Sequence, residues 1–375
     1  MRHDPDLRVK GLSFPAICLL LVFFFCLSNG ANSVHAQTLA YVAHPADDTV
    51  SVINTDTNTV ITTISVGDGP LAVAITPDGT RAYIANQVDS TVSVINTATN
   101  AVIATIPVGS FPTDVAISPD ATRAYTPSSF DQTISVIDTA TNTVIDNVLG
   151  VAAEVIAITP DGSRAYTGHS SRGVSVIDLA TNTVIATLLV GSFIADVAIT
   201  PDGTRAYVTD IAGNSNSVFV IDTATNTVIA KIPVGLFPLS IAITPDGTRA
   251  YVTNSNSATI SVIDTATNTV IAAIPIGLQV FDIAITPDGT RAYATGAQGS
   301  NRAIIVIDTA TNTVVTTIPV LQFPLRIAIS PAPRTPENKE ECKNGGWRNF
   351  GAPAGPFKNQ GQCVSSVERR SATRQ

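Results

Sequence analysis

Ile241-Ala242-Ile243-Thr244-Pro245-Asp246-Gly247-Thr248-Arg249-Ala250-Tyr251-Val252-Thr253-Asn254 is followed, after a short variable stretch, by Thr259-Ile260-Ser261-Val262-Ile263-Asp264-Thr265-Ala266-Thr267-Asn268-Thr269-Val270-Ile271-Ala272-Ala273-Ile274-Pro275. This passage is one unit of a repeat. Its turn aspartate recurs at Asp78, Asp120, Asp161, Asp202, Asp246 and Asp288, at spacings of 42, 41, 41, 44 and 42 residues. All seven tyrosines of the chain occupy one position in the unit: Tyr41, Tyr83, Tyr125, Tyr166, Tyr207, Tyr251 and Tyr293. A fixed period near 40 residues built from four short strands is the pattern of a propeller blade.

Four strands are predicted per unit, as in Val73 to Thr76 (A), Arg249 to Asn254 (B), Thr91 to Asn96 (C) and Thr227 to Val234 (D). Each is short, β-branched and bounded by turn residues. In Thr76-Pro77-Asp78-Gly79, proline presets φ and glycine takes the positive-φ position, which makes an A–B hairpin with a bulge at the glycine. In Asp222-Thr223-Ala224-Thr225-Asn226 the aspartate caps backbone N–H groups and the asparagine tolerates the left-handed region, which makes the C–D hairpin. No catalysis is assigned to these turn aspartates. Strand A is missing from the first unit, which enters at Leu39-Ala40-Tyr41, and returns alone at Arg326-Ile327-Ala328-Ile329-Ser330. The expected fold is therefore all-β: a seven-bladed β-propeller of four-stranded blades, closed by pairing of the C-terminal strand with the first blade.

The flanks differ from the ring. Arg2, Arg8 and Lys10 precede an apolar run from Phe14 to Leu27, and Val34-His35-Ala36 offers a small-residue cleavage site. Residues 1–36 are expected to be a signal peptide cut before Gln37, with an uncleaved anchor as the alternative. Cleavage removes three basic and two acidic residues and leaves a net charge of −9. That balance argues against nucleic acid and against anionic lipid surfaces as partners. The expected location is secreted, extracellular or periplasmic, with association at the cell surface, no membrane span after cleavage, and a monomeric state. After the ring (37–331), residues 332–340 read as a Pro-rich linker and 341–375 as a small C-terminal segment. Its Cys342 and Cys363 are expected to form one disulfide, since no histidine or third cysteine nearby completes a metal set.

Tyr251-Val252-Thr253-Asn254 and Ala284-Ile285-Thr286-Pro287-Asp288-Gly289 resemble the YVTN-repeat β-propeller family, and the resemblance spans roughly residues 38–331. It implies a seven-bladed ring of secreted or surface-layer type, with lactonase-like and quinoprotein-like propellers among its relatives. The segment from Glu341-Cys342 to Cys363-Val364 resembles a short C-terminal cysteine motif of secreted bacterial proteins. Trp347, the chain's one tryptophan, lies within it, either in a stapled knob or as a stacking platform for adhesion.

Strand direction puts the A–B and C–D hairpins on one face and the variable D–A and B–C loops on the other, where specificity is expected. The position before strand A reads Ala72, Asp114, Val155, Asp196, Ser240, Asp282 and Arg326, with Glu154 one residue earlier. Asp114, Glu154, Asp196, Asp282 and Arg326 are the ligand-binding candidates at the channel mouth. They could hold a cation such as calcium or a small polar ligand, or brace backbone donors and channel water. No other cofactor is expected. His44 and His169 open B–C loops and read as solvated. Phe111, Phe193, Phe237 and Phe323 read as staples between blades. Gly168-His169-Ser170-Ser171-Arg172-Gly173 is off by one from a nucleophile elbow and sits between strands. The function expected is non-catalytic binding of a protein or glycan partner by the variable face. The alternative is a lactonase-like or metal-dependent hydrolase centred on Glu154, Asp196, Asp282 and Arg326.

Overall fold

The computed structural model describes residues 38–170, 173–212 and 216–331, together with the backbone of a short hairpin at 351–352 and 355–356. The expected signal peptide (1–36), the linker (332–340), Cys342, Trp347 and Cys363 lie outside the described residues.

Twenty-eight strands, β1 (Leu39–His44) to β28 (Arg326–Ile329), form seven four-stranded antiparallel sheets. Six are consecutive quartets from β4 (Pro70–Ile75) to β27 (Thr313–Pro319), and the seventh has the order β28-β1-β2-β3. The chain thus closes on itself as expected. Val42 pairs with Ile327 and Ala40 with Ile329. Leu39 N–H also donates to Ser330 Oγ at 2.9 Å.

Burial follows the position of each strand in its blade. Strands B and C, such as β21 (Arg249–Asn254) and β22 (Thr259–Asp264), are covered on both faces by neighbouring blades and are buried almost throughout. Strand D, such as β23 (Thr269–Pro275), is the outer edge and alternates toward solvent. Each of the seven apolar cores spans two blades. Tyr251 of blade 6 packs among Ile283, Ala292 and Ile305 of blade 7. Tyr293 of blade 7 packs among Ala40, Val42 and Ile327 of blade 1. The tyrosine is therefore the residue that joins one blade to the next.

Its hydroxyl has a fixed partner. Six of the seven tyrosines donate to the side-chain oxygen of an asparagine in the next blade's C–D turn, at 2.6 to 3.5 Å. Those asparagines hold φ between 54° and 55°, the left-handed conformation expected of them. The turn arginines add a second clasp: Arg164 donates to Thr223 O at 3.0 Å and Arg249 to Thr309 O at 2.6 Å. Gly79 has φ of 70° as its turn requires. The bulges, however, lie in strand D, where one residue such as Ile61 or Ile271 falls out of register, and near the start of strand A in four blades, as at Leu71 and Leu239. An extra residue in strand D twists an otherwise open edge, which protects it from pairing with other chains.

Candidate functional site

Strands A and C run toward the hairpin face and strands B and D toward the variable face, so the D–A and B–C loops meet around the channel mouth. A cavity of about 420 Å³ opens there, and Glu154 and Arg326 both line it. Its rim comes from the residue preceding each channel position: Leu71, Thr113, Ala195, Leu239, Phe281 and Leu325. The collar is largely apolar over a polar floor. Two further cavities, of about 530 and 500 Å³, lie on the opposite face and are lined by the repeated turn residues Asp246, Arg249 and Asp288, or Asp202, Arg205 and Asp246.

The three channel aspartates do the same structural job. Asp114 accepts from Val115 N–H and, across the blade boundary, from Ile156 N–H at 2.9 Å. Asp196 accepts from Val197 N–H and, across the boundary, from Ile241 N–H at 2.9 Å. Asp282 accepts from Ser240 Oγ at 2.6 Å and from Ile327 N–H at 2.7 Å. Strand A is the innermost strand, so its outward N–H groups lack a neighbouring strand, and a carboxylate from the preceding blade supplies the acceptor. Arg326 pairs with Asp282 at 3.6 Å.

Enclosure in the channel governs the charges. Burial pushes the Asp114 carboxyl up to about 7, against the pull of Arg326 and the Ile156 N–H. Burial likewise pushes Asp196 up to about 6, with Arg326 opposing and Asp282 adding to the rise. Burial works against the Arg326 charge, but Asp282, Asp196 and Asp114 together hold its pKa above the ordinary value. Among the described residues no three His, Cys, Asp or Glu side chains come together as a metal set.

Two expectations need correction. His44 and His169 are buried, not solvated. Strand B runs to its last residue inside the ring, and the D–A loop closes over that end. His44 Nε2 lies 2.9 Å from Ser51 Oγ and Nδ1 lies 3.2 Å from Phe323 O. His169 Nε2 lies 2.8 Å from Ser175 Oγ. Asn86 and Asn254 hold the same place in other blades and donate to Ser93 and Ser261. Glycine is required where the D–A loop meets this packing: a Cβ on Gly67 would stand 2.5 Å from Asn86 Nδ2, and one on Gly235 would stand 2.6 Å from Asn254 Cγ.

The second correction concerns the phenylalanines. Phe323 does pack between blades, 5.1 Å from Phe281. Phe111, Phe193 and Phe237 are exposed instead, at 48%, 37% and 37%. Phe111 and Phe237 also hold positive φ, at 56° and 61°, where Gly69 stands in the equivalent loop of blade 2. Bulky residues adopt that conformation rarely. Sequence reading also passed over Phe130 and Leu189, exposed at 78% and 91%. Their signal was local: each is a large apolar residue in a loop that is small or polar in most other blades.

No helix among the described residues is long and apolar enough to cross a membrane. A comparison with curated proteins finds no match. Solved structures resemble the ring. One is hydrazine synthase of Kuenenia stuttgartiensis, 24% identical, with a TM-score of 0.62, covering 75% of this chain and 92% of that one. Another is a functionally unknown protein from Desulfotomaculum acetoxidans, 21% identical with a TM-score of 0.69, covering 78% and 99%. A third is dihydro-heme d1 dehydrogenase NirN in complex with DHE, 15% identical with a TM-score of 0.60, covering 79% and 75%. At these identities the likeness is one of fold. The family model of YNCE-like β-propellers matches residues 8–334, and with its seven closed blades the chain belongs to the YNCE-like β-propeller family.

Proposed function

We propose that this chain is a secreted or cell-surface, non-catalytic propeller that acts as a monomer and binds a protein or glycan partner through its variable face. One observation carries the reading. That face exposes large apolar side chains (Phe111, Phe130, Leu189, Phe193 and Phe237) on loops whose backbone is otherwise well braced. The outer D strands also expose valine and isoleucine, such as Ile61 and Ile271, but the exposed phenylalanines gather on this face, and a patch of that kind marks an interaction site. The opposite face repeats the same hydrogen-bonded turns from blade to blade, which gives a partner little to distinguish.

The hydrolase alternative draws support from Glu154 and Arg326 sharing one cavity. It is weakened by the commitment of Asp196 and Asp282 to backbone donors of the next blade. The same commitment leaves calcium few oxygen directions at the mouth, where it takes six to eight ligands. Calorimetry with calcium should give equal heats for the wild-type chain and an Asp114→Asn, Asp196→Asn, Asp282→Asn variant. A heat lost only in the variant restores the cation site.

The test of the main reading is capture from the protein's own secreted medium. A variant with Phe130, Leu189 and Phe193 changed to serine is compared with one altered at the opposite face, at Thr225 and Thr267. Specific capture should disappear only in the first. Equal capture by both, or lactone hydrolysis abolished by Glu154→Gln, overturns the reading.

A further inference from the structure

Charge on the variable face is predominantly negative. The described charges of its loops in blades 1 to 4 are carboxylates, Asp47, Asp48, Asp68, Asp89, Asp114, Asp131 and Glu154, while the cations on this face are Arg302, which donates to Leu321 O, and Arg326, which pairs with Asp282. The turn arginines Arg81, Arg123, Arg164, Arg205, Arg249 and Arg291 all start B strands at the opposite face.

Loop bracing accounts for hydrogen bonds at these sites but not for charge. Asp89 accepts from Asp68 N–H at 2.7 Å and Asp131 from Ser110 N–H at 2.6 Å. At the equivalent place in blade 6, Ser257 Oγ accepts from Leu236 N–H at 2.7 Å. Asp48 accepts from Gly69 N–H at 3.0 Å. Its counterparts Ser90 and Asn216 receive the N–H of Phe111 and Phe237. A hydroxyl or an amide performs the same bond. The aspartates are also unfavourable to one another: desolvation and then Asp48 and Asp89 raise the Asp68 carboxyl.

An aromatic pair stands beside this charge. Phe111 and Phe130 meet with ring centroids 5.9 Å apart, and both remain exposed. Phe111 keeps this place despite a backbone conformation that suits glycine. A backbone outlier not rewarded by burial points to a use outside the fold. Ser110, whose N–H Asp131 holds, is Phe111's chain neighbour, and Phe130 is the chain neighbour of Asp131.

We infer that the sector of blades 1 to 3 on this face docks a basic polypeptide segment, its apolar side chains on Phe111 and Phe130 and its lysines or arginines against Asp68, Asp89 and Asp131. This rests on the binding role proposed above and adds the chemistry of the partner. Complementary potential sets partner choice and association rate, and lysine or arginine stems bury along aromatic surface while their heads meet carboxylate.

The experiment measures binding of a fluorescein-labelled peptide of alternating lysine and leucine to the purified full chain, with an alternating glutamate–leucine peptide and a neutral oligosaccharide in parallel. The test variants borrow from the protein's own repeats, so that each keeps the local hydrogen bond or φ: Asp89→Ser with Asp131→Ser, and Phe111→Gly. Thermal melting checks that they fold. The basic peptide should bind and weaken as salt rises. Each variant should lower its affinity about tenfold, a difference of about 1.4 kcal/mol. Equal binding of the acidic peptide, preference for the oligosaccharide, or unchanged affinity in both variants overturns the inference. If no peptide binds while capture of a native partner still depends on Phe130, Leu189 and Phe193, this inference fails and the general reading stands. If that capture is absent too, both fail.

Discussion

At the scale of single residues, two buried groups tilt stability with pH in opposite directions. Burial holds the His44 imidazole below its ordinary value, against a raising contact from Phe323 O and the charge of Asp47, with Arg302 adding to the fall. The unfolded chain therefore takes up the proton first, and stability present above about pH 6.5 is lost as pH falls below it. His44→Asn copies Asn86 and Asn254, which donate to serines at the same place. It should remove that acid sensitivity, read as melting temperature between pH 5 and 7. An unchanged acid limb would assign the effect elsewhere. Asp114 acts the other way. Its folded carboxyl titrates near 7, above the roughly 3.9 of an unfolded aspartate. The folded state keeps a proton the unfolded chain has lost, so stability falls as pH rises from about 4 to about 7. Asp114→Asn should flatten that slope, even though it forfeits one of two backbone acceptors. Neither effect was legible in the sequence. A histidine at the end of a strand pattern reads as the start of a loop, and only the neighbouring blade shows that it is covered.

At the scale of the blade, the interlock between strand B and the next C–D turn is the recurring device, and blade 3 departs from it. Asn182, in the C–D turn of blade 4, donates its amide to Asp146 Oδ2 of blade 3 at 2.7 Å. Asp146 stands where Ala104, Ala186, Ala230 and Ala272 stand in other blades. Tyr251→Phe should cost about 1 kcal/mol in denaturant unfolding, the usual worth of one such hydrogen bond. Asp146→Ala should bring blade 3 back to the common pattern, and Tyr125→Phe should then cost more in that background than in the wild type. An identical cost in both backgrounds would show that Asp146 has no bearing on the latch. Strands B, C and D were readable almost to the residue, because six or seven copies of one pattern correct each other's ambiguities, while strand A begins up to three residues before its expected start. The bulge was misplaced to the turn glycine, since positive φ in a hairpin signals a bulge as readily as a plain turn. Loop phenylalanines were misread for a related reason: apolar character predicts burial on average, and three of these four side chains face water.

At the scale of the whole molecule, closure by β28 makes the ring one cooperative body. A chain ending at Pro324 leaves the inner edge of β1 without its partner, and its unfolding should broaden into separate steps. A sharp transition like that of the full chain would show that the seam contributes little. The seam was legible because a lone strand A is left over at one end and missing at the other. The channel mouth was legible in composition but not in role, since three carboxylates in a ring look the same whether they hold a cation or hold the next blade. Those clasps have one further consequence. The inner strands are nearly interchangeable: Ile327-Ala328-Ile329 matches Ile241-Ala242-Ile243, so apolar fit alone does not tell the closing strand where it belongs. Arg326 is the sole cation at its position, and Asp282 of blade 7 meets both its guanidinium and the Ile327 N–H. The ion pair therefore works as an address. It ties the closing strand to blade 7 rather than to blades 2, 4 and 6, which carry Ala72, Val155 and Ser240 at this position and have no carboxylate to receive it.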